Sequence, residues 1–167
     1  VNIVDNYGCK ANADSITLTV KDVEVPTFTR PADIIVYKSA SCTYDISVAE
    51  TGDASNLADN CTAVGNLIVT HTDDTTSGSC YGETIVHRAW RVTDQCGNIS
   101  NAADSIQTIT IQDKIAPTIS GTLRDSTVVG CDGDSRPVAD NTLQYLREHG
   151  LTISDNCSDD AHLTVTS

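Results

Sequence analysis

The chain has 167 residues and a formal net charge of −13, with 23 acidic and 10 basic side chains. That balance excludes nucleic acid as a partner, since phosphates call for clustered Lys and Arg, and it suits an exposed protein that meets divalent cations. Aromatics are 4 %, Met is absent and Trp occurs once, so the core must be a thin one of Val, Ile and Leu, and no run nears the ~20 apolar residues of a membrane span.

Val1 opens the chain without a Met or a signal sequence, so the expectation is an internal fragment whose targeting cannot be read. Residues 11–22, ANADSITLTVKD, return as residues 101–113, NAADSIQTITIQD. Asp14-Ser15-Ile16 matches Asp104-Ser105-Ile106, and Pro26-Thr27 matches Pro117-Thr118. A second echo joins Asp59-Asn60-Cys61-Thr62 to Asp155-Asn156-Cys157-Ser158. Internal repetition of this kind is the mark of a modular array. The expected units are the end of one repeat (1–26), one complete repeat (27–117) and the opening of a third (118–167). A unit of roughly 90 residues lies within the usual domain range.

In the complete repeat, Ala32 to Lys38 and Cys42 to Ala49 read as the first two strands. Thr51 to Cys61 reads as a polar loop, Val64 to Thr72 as a third strand and Asp73 to Gly78 as a turn. Thr84 to Thr93 is the central strand, with Val86, Arg88, Trp90 and Val92 on one face and Ile85, His87, Ala89 and Arg91 on the other. Alternation with period two and many β-branched residues is what a half-buried strand requires. Asp94 to Asn98 (DQCGN) is turn chemistry: Asp and Asn bond to nearby backbone, and Gly97 tolerates positive φ. Residues 104–112 form the last strand, and Pro117 ends the unit because it has no N–H for a ladder. The repeat relation extends the same strand-and-joint reading to 17–22. Short strands separated by turns, without a helical period, predict an all-β fold of tandem Ig-like antiparallel β-sandwich modules.

In the third unit Asp140 to Gly150 (DNTLQYLREHG) reads either as one short capped helix or as a decorated loop, with a binding protrusion as a further reading.

Seven cysteines without a CxxC pair indicate disulfides in an oxidising compartment, not a zinc ribbon. Cys42, Cys61, Cys80 and Cys96 belong to the complete repeat, and four cysteines allow three connectivities. Cys9, Cys131 and Cys157 fall in the incomplete units, where their pairing stays open. In an Ig-like order the loops holding Cys61 and Cys96 share one end of the sandwich, while Cys42 and Cys80 start strands at the other. The expected bonds are therefore Cys61–Cys96 and Cys42–Cys80.

Nothing in the sequence assembles a catalytic constellation, and the chain reads as no enzyme. His71, His87, His149 and His162 lack paired spacing, and Gly133-Asp134-Ser135 lies in a polar turn without a nucleophile elbow.

These landmarks together resemble the tandem Ig-like (HYR-like) repeats of giant bacterial cell-surface adhesins secreted by the type IX system, the SprB-type gliding adhesins. The resemblance rests on Asp59-Asn60-Cys61, on the run from Arg88 through Trp90, Val92-Thr93-Asp94 and Cys96-Gly97-Asn98, and on Thr108 to Thr118. Two features depart from it: Cys9 is shifted relative to Cys96, and the third unit carries the 140–150 insertion. The resemblance implies an extracellular, surface-borne structural or adhesive repeat, active in gliding or attachment, whose partners are neighbouring repeats and surface polysaccharide or other glycan. A carbohydrate-binding module and an accessory domain of a secreted enzyme are the alternatives.

The Ig-like order also brings the linker into each unit close to its Asp-rich loops. Asp22 is expected near Asp59, Asn60 and Asp94, and Asp113 near Asp155 and Asn156. Calcium, which takes 6–8 hard oxygen ligands, is the expected cofactor of such joints; Asx-turns and solvated charge are the other reading. Asp14-Ser15-Ile16, Asp104-Ser105-Ile106 and Asp125-Ser126-Thr127 look like the Asp-Ser/Thr-apolar O-glycan acceptors of the same bacterial group, which points to Ser15, Ser105 and Ser126; strand-flanking turns explain them as well. The sequons at Asn60, Asn98 and Asn156 are set aside, since two hold a cysteine expected in a disulfide.

Overall fold

The computed structural model describes residues 3–10, 16–101, 105–124 and 142–166. Among them run eight strands: β1 Thr27–Thr29, β2 Ile34–Tyr37, β3 Ser55–Ala58, β4 Ile68–Ser77, β5 Thr84–Thr93, β6 Ile106–Gln112, β7 Thr118–Gly121 and β8 Leu151–Ser154. Two short helices, α1 Val48–Thr51 and α2 Leu143–Glu148, accompany them. The architecture is all-β and sandwich-like. A four-stranded sheet of order β2-β6-β5-β4 stands with a β1–β3 ribbon, and β7 pairs with β8 further along the chain.

The central strand falls where its alternation predicts. Val86, Arg88, Trp90 and Val92 are buried, and Arg91 on the other face is exposed. β6 presents Gln107, Ile109 and Ile111 to the same interior, and Val36 and Ile46 pack on Val86, Ile109 and Ile111. Two polar side chains share this core. Arg88, 2 % exposed, donates through Nε and Nη2 to both carboxylate oxygens of Asp73 (2.8 and 2.9 Å). It also donates to Thr51 Oγ1 and to the Ile46 carbonyl, both at 2.8 Å. Gln107, fully buried, accepts from Trp90 Nε1 (3.3 Å) and donates to the carbonyls of Ala32 (2.9 Å) and Thr51 (2.7 Å). Each donor is satisfied, as a buried polar group requires. The pair ties the sheet face to the 32–51 segment, where few apolar atoms are at hand to do so.

Several elements differ from the sequence expectation. No strand forms over 42–49. The Ser39 hydroxyl accepts from the N–H groups of Ser41 and Thr43, Asp45 caps the Ser47 N–H, and α1 begins at Val48. Such side-chain bonds offer the backbone an alternative to a ladder. The polar loop 51–61 contains β3, which pairs Thr27 with Ala58 and Thr29 with Ser55. β4 does not turn at Asp73, because Asp73 lies opposite Arg88 in the ladder and takes its guanidinium. β2 runs parallel to β6, so the sheet is mixed, not wholly antiparallel. Residues 17–22 form no strand although their counterpart is β6: β6 lies between β5 and β2, whereas Leu18 and Val20 are 85 % and 90 % exposed. The helix of the third unit is present as α2, capped by Thr142, whose side chain accepts from the Tyr145 N–H, and followed by Gly150 at φ 106°. Asp140 and Asn141 lie outside the described residues.

The Arg88 hydrogen bonds hold the Asp73 carboxyl below its ordinary value of 3.8. A carboxyl depressed in the folded state contributes stability above its unfolded pKa and loses it as pH falls through the folded value. Denaturant unfolding across pH should therefore show stability declining below about pH 4, and Asp73→Asn should flatten that decline. Replacing Arg88 with Ala strands Asp73 and the Ile46 carbonyl, at a cost of about 3 kcal/mol; a loss below about 1 kcal/mol would show that the network is not a support of the core.

Candidate metal centre

Three carboxylates meet at one end of the four-stranded sheet. Asp22 precedes β1, Asp59 follows β3 and Asp94 follows β5, and one oxygen of each lies within 4.8 Å of the others. Among the described residues no other group of three acidic, His or Cys side chains is so placed. The local chain explains each position. Asp59 Oδ1 accepts from the N–H groups of Cys61 (3.0 Å) and Thr62 (2.6 Å), an Asx-turn that holds the side chain against its own loop. Asp22 Oδ1 accepts from the Glu24 N–H at 3.1 Å. Asp94 is 3 % exposed; its oxygens accept from the Asn98 N–H and Asn98 Nδ2, both at 2.7 Å. Asn98 Nδ2 also reaches the Asp22 carbonyl (3.3 Å), which joins the linker to the turn. Gly97 supplies the turn's positive φ of 87°.

The second oxygens of Asp22 and Asp59 are buried and accept no hydrogen bond. None of the ion pairs among the described residues reaches the cluster. Buried carboxylate oxygens without donors are costly unless a cation or a proton faces them. Burial pushes the Asp94 carboxyl up, yet the bonds from Asn98 outweigh it and hold the group below its ordinary value, so Asp94 stays charged. Desolvation and the charges of Asp22 and Asp59 raise the neighbouring Cys61 thiol, with Cys96 adding to the effect. The donor set is hard oxygen throughout, the chemistry of calcium and not of softer metals. Asn60 is exposed and lines, with Glu24, Val25, Thr27, Ala58 and Asp59, a cleft of about 260 Å³ beside the cluster.

The second joint repeats the arrangement in part. Asp155 Oδ1 accepts from Cys157 and Ser158 N–H groups (3.0 and 2.7 Å), and these bonds hold its carboxyl below the ordinary value. Asp113 Oδ1 accepts from the Ile115 N–H (3.0 Å) and lies 3.4 Å from Asn156 Nδ2. Asn156 Oδ1 is buried without a donor. Asp22, Asp59 and Asp94 thus come together as expected, as do Asp113 and Asn156. Asn98, expected only as a turn residue, and Thr62, expected only as part of the Asp-Asn-Cys echo, also contribute hydrogen bonds here. Their signal was the Asp-x-x-x-Asn spacing of the 94–98 turn and the hydroxyl just after Asp-Asn-Cys.

The cysteines require a correction. Cys42 is bonded to Cys157, with Cα atoms 5.2 Å apart, and Cys80 is a free thiol, so the Cys42–Cys80 bond is not formed. The cause is the second joint: Asn156 Nδ2 donates to the Ser39 carbonyl (3.1 Å), which draws the 155–158 loop onto the 39–43 turn. The expected Cys61–Cys96 bond is not formed either: both are free thiols on adjoining loops, which the Gln95 N–H joins by donating to Thr62 Oγ1 (3.3 Å). Cys9 is a free thiol as well. Ser105 is 2 % exposed, so its hydroxyl is not presented to a glycan. Ser15, Ser126, Cys131 and Gly133-Asp134-Ser135 lie outside the described residues. The histidines do not gather: His71 packs on Trp90, His162 stacks on Tyr81 and His149 on Tyr145.

No family model, no curated protein and no solved structure matches the chain. Non-reducing peptide mapping should recover a Cys42–Cys157 peptide; a Cys42–Cys80 peptide in its place would contradict this joint.

Proposed function

We propose that the chain is a run of structural repeats from a long, secreted cell-surface adhesin, with calcium held where successive repeats meet. The units are 1–26, 27–117 and 118–167, and the work they do is extension: carrying the protein away from the cell while resisting shear and proteolysis. The observation that carries this reading is the convergence of Asp22, from the linker, on Asp59 and Asp94, from two loops of the following unit. A linker carboxylate that shares a cation with the next unit cannot swing freely, because each ligand it gives up costs coordination energy. The residues present fit calcium: three carboxylates, the exposed amide of Asn60 and backbone carbonyls are the oxygen types that its coordination sphere takes. Asp113, Asp155 and Asn156 would serve the second joint in the same way.

The landmark residues shared with the SprB-type gliding adhesins support placement at the outer surface of a gliding, type IX-secreting bacterium. The disulfide and the strongly acidic surface agree with an oxidising, exposed setting.

Thermal unfolding in calcium and in chelator tests the reading. A ligand at a hundred times its Kd stabilises by about 2.7 kcal/mol, which for a chain of this size raises the Tm by roughly 5–10 °C. Asp59→Asn and Asp94→Asn should each remove most of that rise. Equal Tm values in calcium and chelator, with no heat on titration, would overturn the cation. A parent reading frame that leads into a catalytic domain, and not into more Asp-Asn-Cys and Cys-Gly-Asn units, would overturn the adhesin.

A further inference from the structure

We infer that Cys61 and Cys96 are a redox couple whose oxidation to a disulfide braces the two acidic loops and tightens cation binding at the first joint. The inference rests on the reading of Asp22, Asp59 and Asp94 as a calcium site.

Each thiol belongs to the loop that carries one of the carboxylates. Cys61 is fixed to Asp59 through its own N–H (3.0 Å), so the two move together. Cys96 sits within the turn that Asp94 and Asn98 close: the Asp94 N–H donates to the Asn98 carbonyl (3.1 Å), and the Asn98 N–H donates back to the Asp94 carboxylate (2.7 Å). The two loops meet at two points beside the thiols. The carboxylates of Asp59 and Asp94 lie within 4.8 Å, and the Gln95 N–H donates to Thr62 Oγ1 at 3.3 Å. Cys61 directly precedes Thr62 and Cys96 directly follows Gln95, so this hydrogen bond joins the chain neighbours of the two thiols, and a disulfide needs Cα atoms about 4.4–6.8 Å apart. Both are exposed free thiols, open to an oxidant.

The consequence follows from charge. Three carboxylates repel, and the buried, donorless oxygens of Asp22 and Asp59 sharpen that repulsion. The Gln95–Thr62 hydrogen bond links the two loops beside the carboxylates, and the repulsion works against it. A covalent strut beside that bond keeps the ligands in place beforehand, and preorganisation of this kind raises affinity. The oxidant is a small-molecule disulfide such as oxidised glutathione. The two thiols give up two electrons and two protons, one sulfur–sulfur bond forms between Cys61 and Cys96, and the reagent leaves as two thiols. By linkage, calcium must make the Cys61–Cys96 bond harder to reduce by the same factor.

The test is calorimetric titration of calcium into the whole chain, once after equilibration with oxidised glutathione and once after reduction. The oxidised chain should bind at least tenfold more tightly, equivalent to a reduction potential about 30 mV lower with calcium than without. The Cys61→Ser/Cys96→Ser chain keeps Cys42 and Cys157, so its own response to reductant measures what that other bond contributes; it should bind like the reduced chain in both conditions. Calcium binding of equal strength in the two redox states would overturn the inference alone, as would peptide mapping that finds Cys61 bonded elsewhere. No binding in either state would overturn the calcium reading and this inference with it.

Discussion

A single buried guanidinium organises the middle of this chain. Arg88 stands in the central strand where an apolar residue would ordinarily sit, and it meets Asp73 across the ladder, Thr51 at the end of α1 and the Ile46 carbonyl at once. Beside it Gln107 bonds to Trp90, Ala32 and Thr51. A core with one Trp, one Phe and no Met cannot cover both faces of a sheet with apolar bulk, so hydrogen bonds span the gap between sheet and overlying segment. The consequence reaches the site. With β4 and β5 locked in register through Asp73 and Arg88, the turn after β5 is held at a fixed place beside the loop after β3, and Asp94 faces Asp59.

What the sequence disclosed, and what it hid, follows from the range of the forces involved. β5 and β6 were legible because their burial is set by strict alternation, a local signal. The 94–98 turn was legible for the same reason, as Asp, Gly and Asn satisfy it from within. The convergence of Asp22, Asp59 and Asp94 was also legible, once repetition had set the order of the units. The course of 42–58 was not: Ser39 and Asp45 redirect the backbone through bonds that look in sequence like any polar stretch. The extension of β4 through Asp73-Asp74 was hidden too, since two acidic residues read as a turn until their partner across the ladder is known. The bond from Cys42 to Cys157 depends on how one unit meets the next, which lies beyond any strand-by-strand reading.

The two joints share one construction. Each has an Asp-Asn-Cys loop whose Asp caps the N–H groups two and three residues on, and a linker Asp that caps the N–H two residues on. At Asp22 and Asp59 this capping uses one oxygen of the carboxylate and leaves the other buried. The buried, donorless oxygens of Asp22 and Asp59 are the product of that geometry. In a chain this acidic, inward-facing oxygens of like charge would push a joint open, so the same residues that favour a bend without a cation would stiffen the joint with one.

The most direct measurement is anomalous X-ray scattering from crystals of the chain grown in calcium. The account predicts one peak enclosed by Asp22, Asp59 and Asp94, with oxygen ligands at about 2.3–2.6 Å. Ordered water or a basic side chain at that point, with no anomalous signal, would contradict it.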